Sequence, residues 1–264
     1  MLPALLQRTI DAHLRARQTK PMGSTFSMKY PRKTRRRWVL RKKIGFLIHR
    51  LGNLEVHGLE NLPKSGPVII AANHFNFVDP PLLIYTTPRM VEFIGGAQRP
   101  NSPFWAKQIP KWYGFIHAFR GGYGRSTFRQ SLDVLKQNGV LGIFPEGGSW
   151  ATLLRPARPG LAYLATKSGA PVVPISIIGA ENLIGGEKRP VKIIYHKPLQ
   201  APVITATGTA RRKALDEFSQ EIMCYIASGL PDNQRGMFSS SEQARAEAEA
   251  VSAYPFDAPE LRGT

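Results

Sequence analysis

The chain has 264 residues, a formal net charge of +18 and a hydrophobic fraction of 42%. That apolar fraction is enough for a folded core and excludes a wholly disordered chain, while the single cysteine, Cys224, excludes an intrachain disulfide and a cysteine-rich zinc site. No stretch approaches the roughly 18 consecutive apolar residues of a membrane-spanning helix, and no small-residue cleavage site follows an apolar run as in a signal peptide.

The positive charge is concentrated near the N-terminus. Residues 1–50 contain fourteen Lys or Arg and a single acid, whereas residues 51–229 are only mildly basic. We interpret residues 1–28 as a short amphipathic helix or an extension that is not native. The next segment, residues 29–52, is the most basic part, and its apolar residues recur with helical spacing at positions 40, 44, 47, 48 and 51.

A basic amphipathic helix over residues 29–52 suits an anionic membrane surface, because apolar side chains enter the interface while Lys and Arg contact the head groups. Two alternatives remain open from the sequence. The helix could be solvated and packed on its own domain, or the segment could be a nucleic-acid-binding arm. The second alternative lacks a recognisable nucleic-acid fold motif.

The body of the chain, residues 53–229, alternates short apolar runs with longer mixed segments, which predicts strands and helices in turn. The strand candidates are 68–72, 91–95, 114–119, 140–145, 172–179 and 191–196. The helix candidates are 80–87, 102–112, 126–137, 160–167 and 210–226. This alternation predicts an α/β domain whose sheet is covered on both faces. Residues 230–264, rich in Ser, Ala and Glu, are expected to form a flexible or partly helical tail.

His74 directly follows the strand candidate 68–72, in the segment NHFNFVDPP. Ligands of open α/β sheets bind just beyond the carboxyl ends of strands. Asp79 comes five residues later, and the loop can fold back so that the carboxylate contacts the imidazole and stabilises the imidazolium. Such a pair without a nucleophilic Ser or Cys fits a base acting on a bound hydroxyl. A histidine capping a helix beside an unrelated aspartate is the alternative that spacing leaves open.

Two other segments also follow strand candidates. Arg120 comes at the end of the run 114–119 and precedes two glycines, where its guanidinium could hold a phosphate group or simply lie on the surface at a turn. Glu146 lies between Pro145 and two glycines, which indicates a tight turn. Its carboxylate could accept hydrogen bonds from substrate hydroxyl groups or lock neighbouring loops.

Together and in this order, these segments resemble the glycerolipid acyltransferase family that includes 1-acylglycerol-3-phosphate acyltransferases. The family's Asn-His-x4-Asp motif matches Asn73, His74 and Asp79. Its Gly-x-Ile/Phe-x3-Arg motif matches Gly114 and Arg120.

The third and fourth motifs of the family also match segments of this sequence. Phe-Pro-Glu-Gly corresponds to residues 144–147, which include Glu146 and Gly147, and an apolar run with an internal proline corresponds to residues 172–175. The resemblance covers about residues 53–200, over half of the chain.

The resemblance implies a mixed, mostly parallel sheet flanked by helices, and an O-acyltransferase that moves a fatty acyl group from acyl-CoA or acyl carrier protein to a lysophospholipid hydroxyl. Lysophosphatidate is the default acceptor. His74 would be the general base and Asp79 would orient it. The residues implied in substrate binding are Asn73, Gly114, Arg120, Glu146 and Gly147. Neither a cofactor nor a metal nor an acyl-enzyme intermediate is expected.

The predicted location is peripheral, on the cytoplasmic side of the cell membrane, with an anionic membrane surface as partner and no nucleic acid. One departure from the family pattern concerns the acceptor. The third motif often continues Thr-Arg, whereas this chain continues Gly148-Ser149-Trp150. Arg155 or Arg158 could supply the missing phosphate contact. A different lysolipid acceptor is therefore an alternative, and a non-catalytic membrane- or nucleic-acid-binding protein is a more distant one.

Overall fold

The computed structural model describes residues 27–96, 108–118, 124–183 and 190–253. The predictions for residues 1–26 lie outside this part of the chain. Within it, the strands are β1 (Asn53–His57), β2 (Val68–Ala72), β3 (Val91–Gly96), β4 (Ile116–Ala118), β5 (Val140–Ile143), β6 (Val172–Ile178) and β7 (Pro190–Tyr195).

The strands form one sheet in the order β1-β7-β6-β2-β5-β3-β4. Among the strands of the described residues, the β6–β7 pair is antiparallel and the other pairs are parallel. This confirms the prediction of a mixed, mostly parallel sheet. All six predicted strands occur, and the structure adds β1, which pairs with β7 at the edge of the sheet.

Helices connect and flank the strands. They are α1 (Thr34–Leu51), α2 (Asp79–Thr86), α3 (Gln108–Tyr113), α4 (Arg125–Lys136), α5 (Leu161–Ser168), α6 (Gly208–Gly229) and α7 (Glu242–Ala250). Short 3₁₀ turns occur at Leu59–Asn61, Ala180–Leu183, Asp232–Gln234 and Gly236–Phe238. None of the helices in the described ranges is long and apolar enough to cross a bilayer.

Two hydrophobic cores cover the two faces of the sheet, because successive side chains of a strand point to opposite faces. Ile69 and Ala71 of β2 join the core formed with helices α4, α5 and α6. Ile70 and Ala72 join the core that contains α1 and α2 residues. Every residue of β2 is fully buried, which explains why this strand is an uninterrupted apolar run rather than an alternating one.

The basic segment forms α1, which packs on the domain through one face while its other face is exposed. Ile44 and Ile48 are buried, and a Cβ at Gly45 would lie only 2.3 Å from the ring of Tyr85. The glycine is therefore needed for close packing against α2. Of the predicted apolar stripe, Leu47 and Leu51 lie on the exposed side, 48% and 40% exposed.

One arginine of the basic run is completely buried. Arg37 is 0% exposed and forms an ion pair with Glu92 of β3, which is also 0% exposed, with Nη2 at 2.7 Å from Oε2. Arg32 donates to the same Oε2 at 2.9 Å. The Nε of Arg37 donates to the carbonyl oxygen of Tyr113 at 2.9 Å. The N-terminal part of α1 is thereby fixed to the sheet through charge, not only through apolar packing.

The tail packs on the domain as far as residue 253. Leu154 exchanges backbone hydrogen bonds with Gln234 and Met237, at 2.9 and 3.1 Å. Ala248 of α7 is fully buried. The segment is expected from its sequence to be flexible or partly helical, and residues 230–253 are partly helical.

Substitution of Arg37 by Ala is expected to destabilise the protein by about 3 kcal/mol, because it removes the buried partner of Glu92 and leaves this buried carboxylate paired only with the partly exposed Arg32. The free energy of unfolding from urea denaturation measures the effect. Arg36→Ala, on the exposed side of the same helix, is the matched control and should change stability by less than about 0.5 kcal/mol. Equal losses for the two variants would contradict a structural role for the buried pair.

Candidate active site

The candidate site lies at the carboxyl edge of the sheet. Strands β2 and β5 are parallel neighbours, with Ala71 opposite Ile143, so the loops that follow them emerge side by side. His74 belongs to the first loop and Glu146 to the second. The backbone N–H of His74 donates to Oε1 of Glu146 at 2.8 Å, which brings the first and third motifs together.

His74 and Asp79 form the pair that the spacing suggested. Nδ1 of His74 lies 2.9 Å from Oδ2 of Asp79. The same oxygen accepts the backbone N–H groups of Phe75 and Asn76 at 2.8 and 2.7 Å. Asp79 is 1% exposed and begins α2, where the positive end of the helix dipole favours a carboxylate.

This geometry selects one tautomer of His74. A carboxylate accepts a hydrogen bond from Nδ1–H, so in the neutral ring the unprotonated, basic nitrogen is Nε2. Within the described part of the chain, no protein group forms a hydrogen bond with Nε2. The side chain of His74 is 15% exposed. The imidazole is thus oriented by the protein and able to meet a ligand.

Two phenylalanines hold the plane of the imidazole. Phe144 stacks on it with a centroid distance of 4.2 Å and an interplanar angle of 26°. Phe93 stacks on Phe144 at 5.9 Å and 10°. Neither ring has a role predicted from the sequence, although Phe144 lies at the end of β5, beside the Pro-Glu-Gly turn, and this position is a signal for such a role.

Glu146 is a buried connector. It is 1% exposed, and its Oε2 accepts the backbone N–H and the Nε–H of Arg155 at 3.2 and 3.1 Å. Burial raises the pKa of Glu146 to about 7, although the positive charge of Arg155 and the hydrogen bonds from His74 and Arg155 act in the opposite direction. The carboxylate therefore joins the His74 loop, its own turn and the Arg155 segment.

The two arginines of the LLRPARPG segment have different environments. Arg155 is 1% exposed, donates to the carbonyl oxygen of Gly148 and lies over the ring of Trp150 at 3.8 Å. Burial lowers its pKa. Arg158 is partly exposed and donates through Nε to the carbonyl oxygen of Glu146 at 3.3 Å. Arg158, but not Arg155, is thus accessible to a ligand.

Three predicted substrate contacts have a different place in the structure. Asn73 is 0% exposed, and its amide exchanges two hydrogen bonds with the backbone of Ile177, so it ties β2 to β6. The carboxylate of Glu146 accepts hydrogen bonds from His74 and Arg155, and Arg155 donates through Nε and Nη2, while its Nη1 is buried without a hydrogen-bond partner in the described part of the chain. All three side chains support the loops around His74 through these contacts, and their proposed contacts with a substrate stay predictions.

Gly114 does not belong to this edge of the sheet. It precedes β4, which runs parallel to β3, so it lies at the amino end, opposite the carboxyl edge. It neighbours Arg32 and Lys33 instead. Arg120 lies outside the described residues, and its proposed contact with a phosphate group stays a prediction.

Gly147 shapes the turn after Glu146. Its φ is +85°, and a Cβ there would lie 2.7 Å from Cδ of Arg158. Both the left-handed backbone and the close approach of Arg158 therefore require glycine.

Known proteins resemble this domain in sequence. Residues 53–178 match the sequence model of a family described as Acyltransferase. The 1-acyl-sn-glycerol-3-phosphate acyltransferase of Bacillus subtilis is 29% identical over 174 residues, which are 63% of this chain and 84% of that protein. The chloroplastic 1-acyl-sn-glycerol-3-phosphate acyltransferase BAT2 of Brassica napus is 29% identical over 55% of this chain but only 44% of its own length.

A solved structure shares the fold. The crystal structure of the 1-acyl-sn-glycerophosphate acyltransferase from Thermotoga maritima superposes with a TM-score of 0.50 and 23% identity, over 81% of this chain and 87% of that one. The likeness supports the sheet order and helix placement described above.

Gly147→Ala is expected to destabilise the protein by about 2 kcal/mol and to lower its activity, since the methyl group adds a contact with Arg158 to the strain of a positive φ. Gly169→Ala is the matched control. Its φ is +68° but nothing lies within 4 Å of its Cβ position, so it should cost about 1 kcal/mol. Guanidinium denaturation compares them, and equal costs with equal activities would contradict the steric role of Gly147.

Proposed function

Residues 53–178 match the acyltransferase family, and from this premise we propose that the chain is an acyltransferase that transfers a fatty acyl group from a thioester to the free hydroxyl of a lysophospholipid. Lysophosphatidate is the acceptor that we propose first, because the relatives from Bacillus subtilis and Brassica napus are acyltransferases of 1-acyl-sn-glycerol-3-phosphate. The observation that carries the proposal is the His74–Asp79 pair, joined at 2.9 Å beside the Glu146 turn.

The reaction begins with proton transfer to His74. Nε2 takes the proton of the acceptor hydroxyl while that oxygen attacks the thioester carbonyl. Asp79 stabilises the imidazolium through the bond to Nδ1. When the tetrahedral intermediate collapses, the new C–O ester bond remains, the C–S bond breaks, and the imidazolium returns its proton to the leaving thiolate.

Direct transfer is favoured over an acyl-enzyme route. Within the described residues, no Ser hydroxyl or Cys thiol forms a hydrogen bond with His74, as an activated nucleophile would. Cys224, on α6, is an exposed free thiol whose pKa is raised by partial desolvation and by the negative charge of Glu221. A raised pKa reduces the thiolate fraction and disfavours a nucleophilic role.

Phosphate recognition is proposed for two arginines. Arg120 is proposed to hold the acceptor phosphate, and partly exposed Arg158 is proposed as a second contact. A different lysolipid acceptor is the second candidate, since Ser149 stands where the family often has an arginine and Arg155 is buried.

The exposed face of α1 is proposed to bind an anionic membrane surface, where the acceptor resides. Exposed basic residues, among them Arg35, Lys43 and Arg50, accompany the apolar ones. Lys42 lies over the Trp38 ring at 4.0 Å. The large apolar side chains exposed on this helix are Trp38, Val39, Phe46, Leu47 and Leu51.

His74→Ala is expected to reduce acyl transfer from palmitoyl thioester to lysophosphatidate by about 10²–10⁴-fold, because a general base contributes that much. Asp79→Asn should keep acceptor binding but lower the rate by about 10²-fold or more, through the wrong imidazole tautomer. His57→Ala, which removes an exposed histidine, is the control. Wild-type turnover by purified His74→Ala protein would overturn the catalytic assignment, and the same assay with other lysolipids ranks the acceptors.

Phe46→Ala is expected to weaken binding to vesicles of phosphatidylglycerol by about tenfold, since Phe46 is 74% exposed and burying such a ring in the interface contributes about 1.5–3 kcal/mol. Val203→Ala removes an apolar side chain that is 92% exposed in the connection before α6 and should leave binding unchanged. Vesicle sedimentation measures both. If the two variants bind like wild type, α1 is not the membrane-binding surface.

A further inference from the structure

A second surface feature lies next to the candidate active site. Helices α4, α5 and α6 enclose an open groove of about 1020 Å³. Arg158 lines the groove and also donates to the carbonyl oxygen of Glu146. Because Glu146 accepts the backbone N–H of His74, one end of the groove adjoins the loop that carries the proposed general base.

The walls of the groove are strongly basic. Arg125, Arg129 and Lys136 line it from α4, and Arg211 and Arg212 line it from α6. Within the described residues, no carboxylate forms an ion pair with the three α4 bases.

Two acids line the groove, and both already have partners. Asp133 accepts two hydrogen bonds from Ser27. Asp216 lies 4.0 Å from Arg212. The groove therefore has an excess of positive charge that is not neutralised by the protein itself, which favours an anionic ligand.

The floor of the groove is apolar and partly aromatic. Phe128 and Tyr163 meet edge to face, with centroids 5.1 Å apart. The guanidinium of Arg211 lies 5.6 Å from the Tyr163 ring. Leu132 and Leu215 complete the floor. A flat heteroaromatic ring can stack on such a surface, while the surrounding guanidinium groups can bind phosphate bidentately.

We propose that this groove binds the phosphorylated nucleotide end of a coenzyme A thioester, so that the acyl donor is acyl-CoA. This deepens the proposed function and rests on the thioester donor assigned there. The ligand combines an aromatic base with several phosphate groups, which matches the apolar floor and the basic walls. Its long pantetheine arm lets the phosphates bind on α4 and α6 while the thioester carbon reaches the neighbourhood of His74.

The acidic surface of an acyl carrier protein is the competing occupant. A concave groove with aromatic rings at its floor favours a small ligand that enters it, since pockets for cofactors are concave and mainly apolar with a few placed polar groups. The experiment must separate the two donors.

The test compares the double variant Arg129→Gln/Arg211→Gln with wild type. KM is measured for palmitoyl-CoA and for palmitoyl-pantetheine, which has the same thioester but no nucleotide. The double variant should raise the KM for palmitoyl-CoA at least about tenfold, because a hydrogen bond between charged groups contributes more than a neutral one. Its kcat and its KM for palmitoyl-pantetheine should stay at wild-type values. Lys213→Gln, on the exposed side of α6 outside the groove, is the matched control and should change neither.

Binding of free coenzyme A by calorimetry gives a readout that does not need acyl transfer. If wild type binds coenzyme A and the double variant does not, the result supports coenzyme A binding in the groove, even when no acceptor is acylated. Failure of transfer to every acceptor would overturn the proposed function but not the groove. An unchanged KM for palmitoyl-CoA together with unchanged coenzyme A binding would overturn the groove while leaving the proposed function in place. If the enzyme accepts acyl groups only from acyl carrier protein, and the double variant reduces this transfer, the coenzyme A proposal is overturned and the groove binds the carrier protein.

Discussion

The candidate site depends on one buried carboxylate. Glu146 accepts a hydrogen bond from the His74 backbone through one oxygen and two from Arg155 through the other. Three separate parts of the chain therefore meet at a group with 1% exposure. Removing water from a carboxylate is costly, and burial raises its pKa to about 7. The arrangement is stable only because the donors are supplied together, which in turn requires β2 and β5 to be parallel neighbours.

A second buried carboxylate, that of Glu92, connects the helix α1 to the sheet. It binds Arg37 of α1, and the next residue along β3, Phe93, stacks on Phe144, which stacks on His74. The helix proposed to lie on the membrane is thus attached to the strand that also supports the imidazole. The proposed membrane-binding helix α1 and the proposed base His74 are therefore both connected to β3.

Much of the fold follows from the sequence because fully buried parallel strands are continuous apolar runs, as in Val68–Ala72. The apolar pattern does not predict strand β1, because this strand lies at the edge of the sheet and its sequence, NLEVH, is only partly buried. The His74–Asp79 contact was predictable from the short loop between them. The different environments of Arg155 and Arg158 were not, since both stand in one segment and only the position of Glu146 decides which one is buried. Arg37 is a similar case, because nothing in a run of five bases distinguishes the one that meets Glu92.

The central claim is that Nε2 of His74 accepts the proton of the acceptor hydroxyl. The most direct measurement is a crystal structure of the protein with bound lysophosphatidate or a non-reactive ether analogue of it. We expect the free hydroxyl oxygen to lie at hydrogen-bond distance from Nε2, about 2.6–3.2 Å, with the hydrogen bond between Nδ1 and Asp79 intact. An acceptor whose hydroxyl lies against another basic group, out of reach of His74, would contradict it.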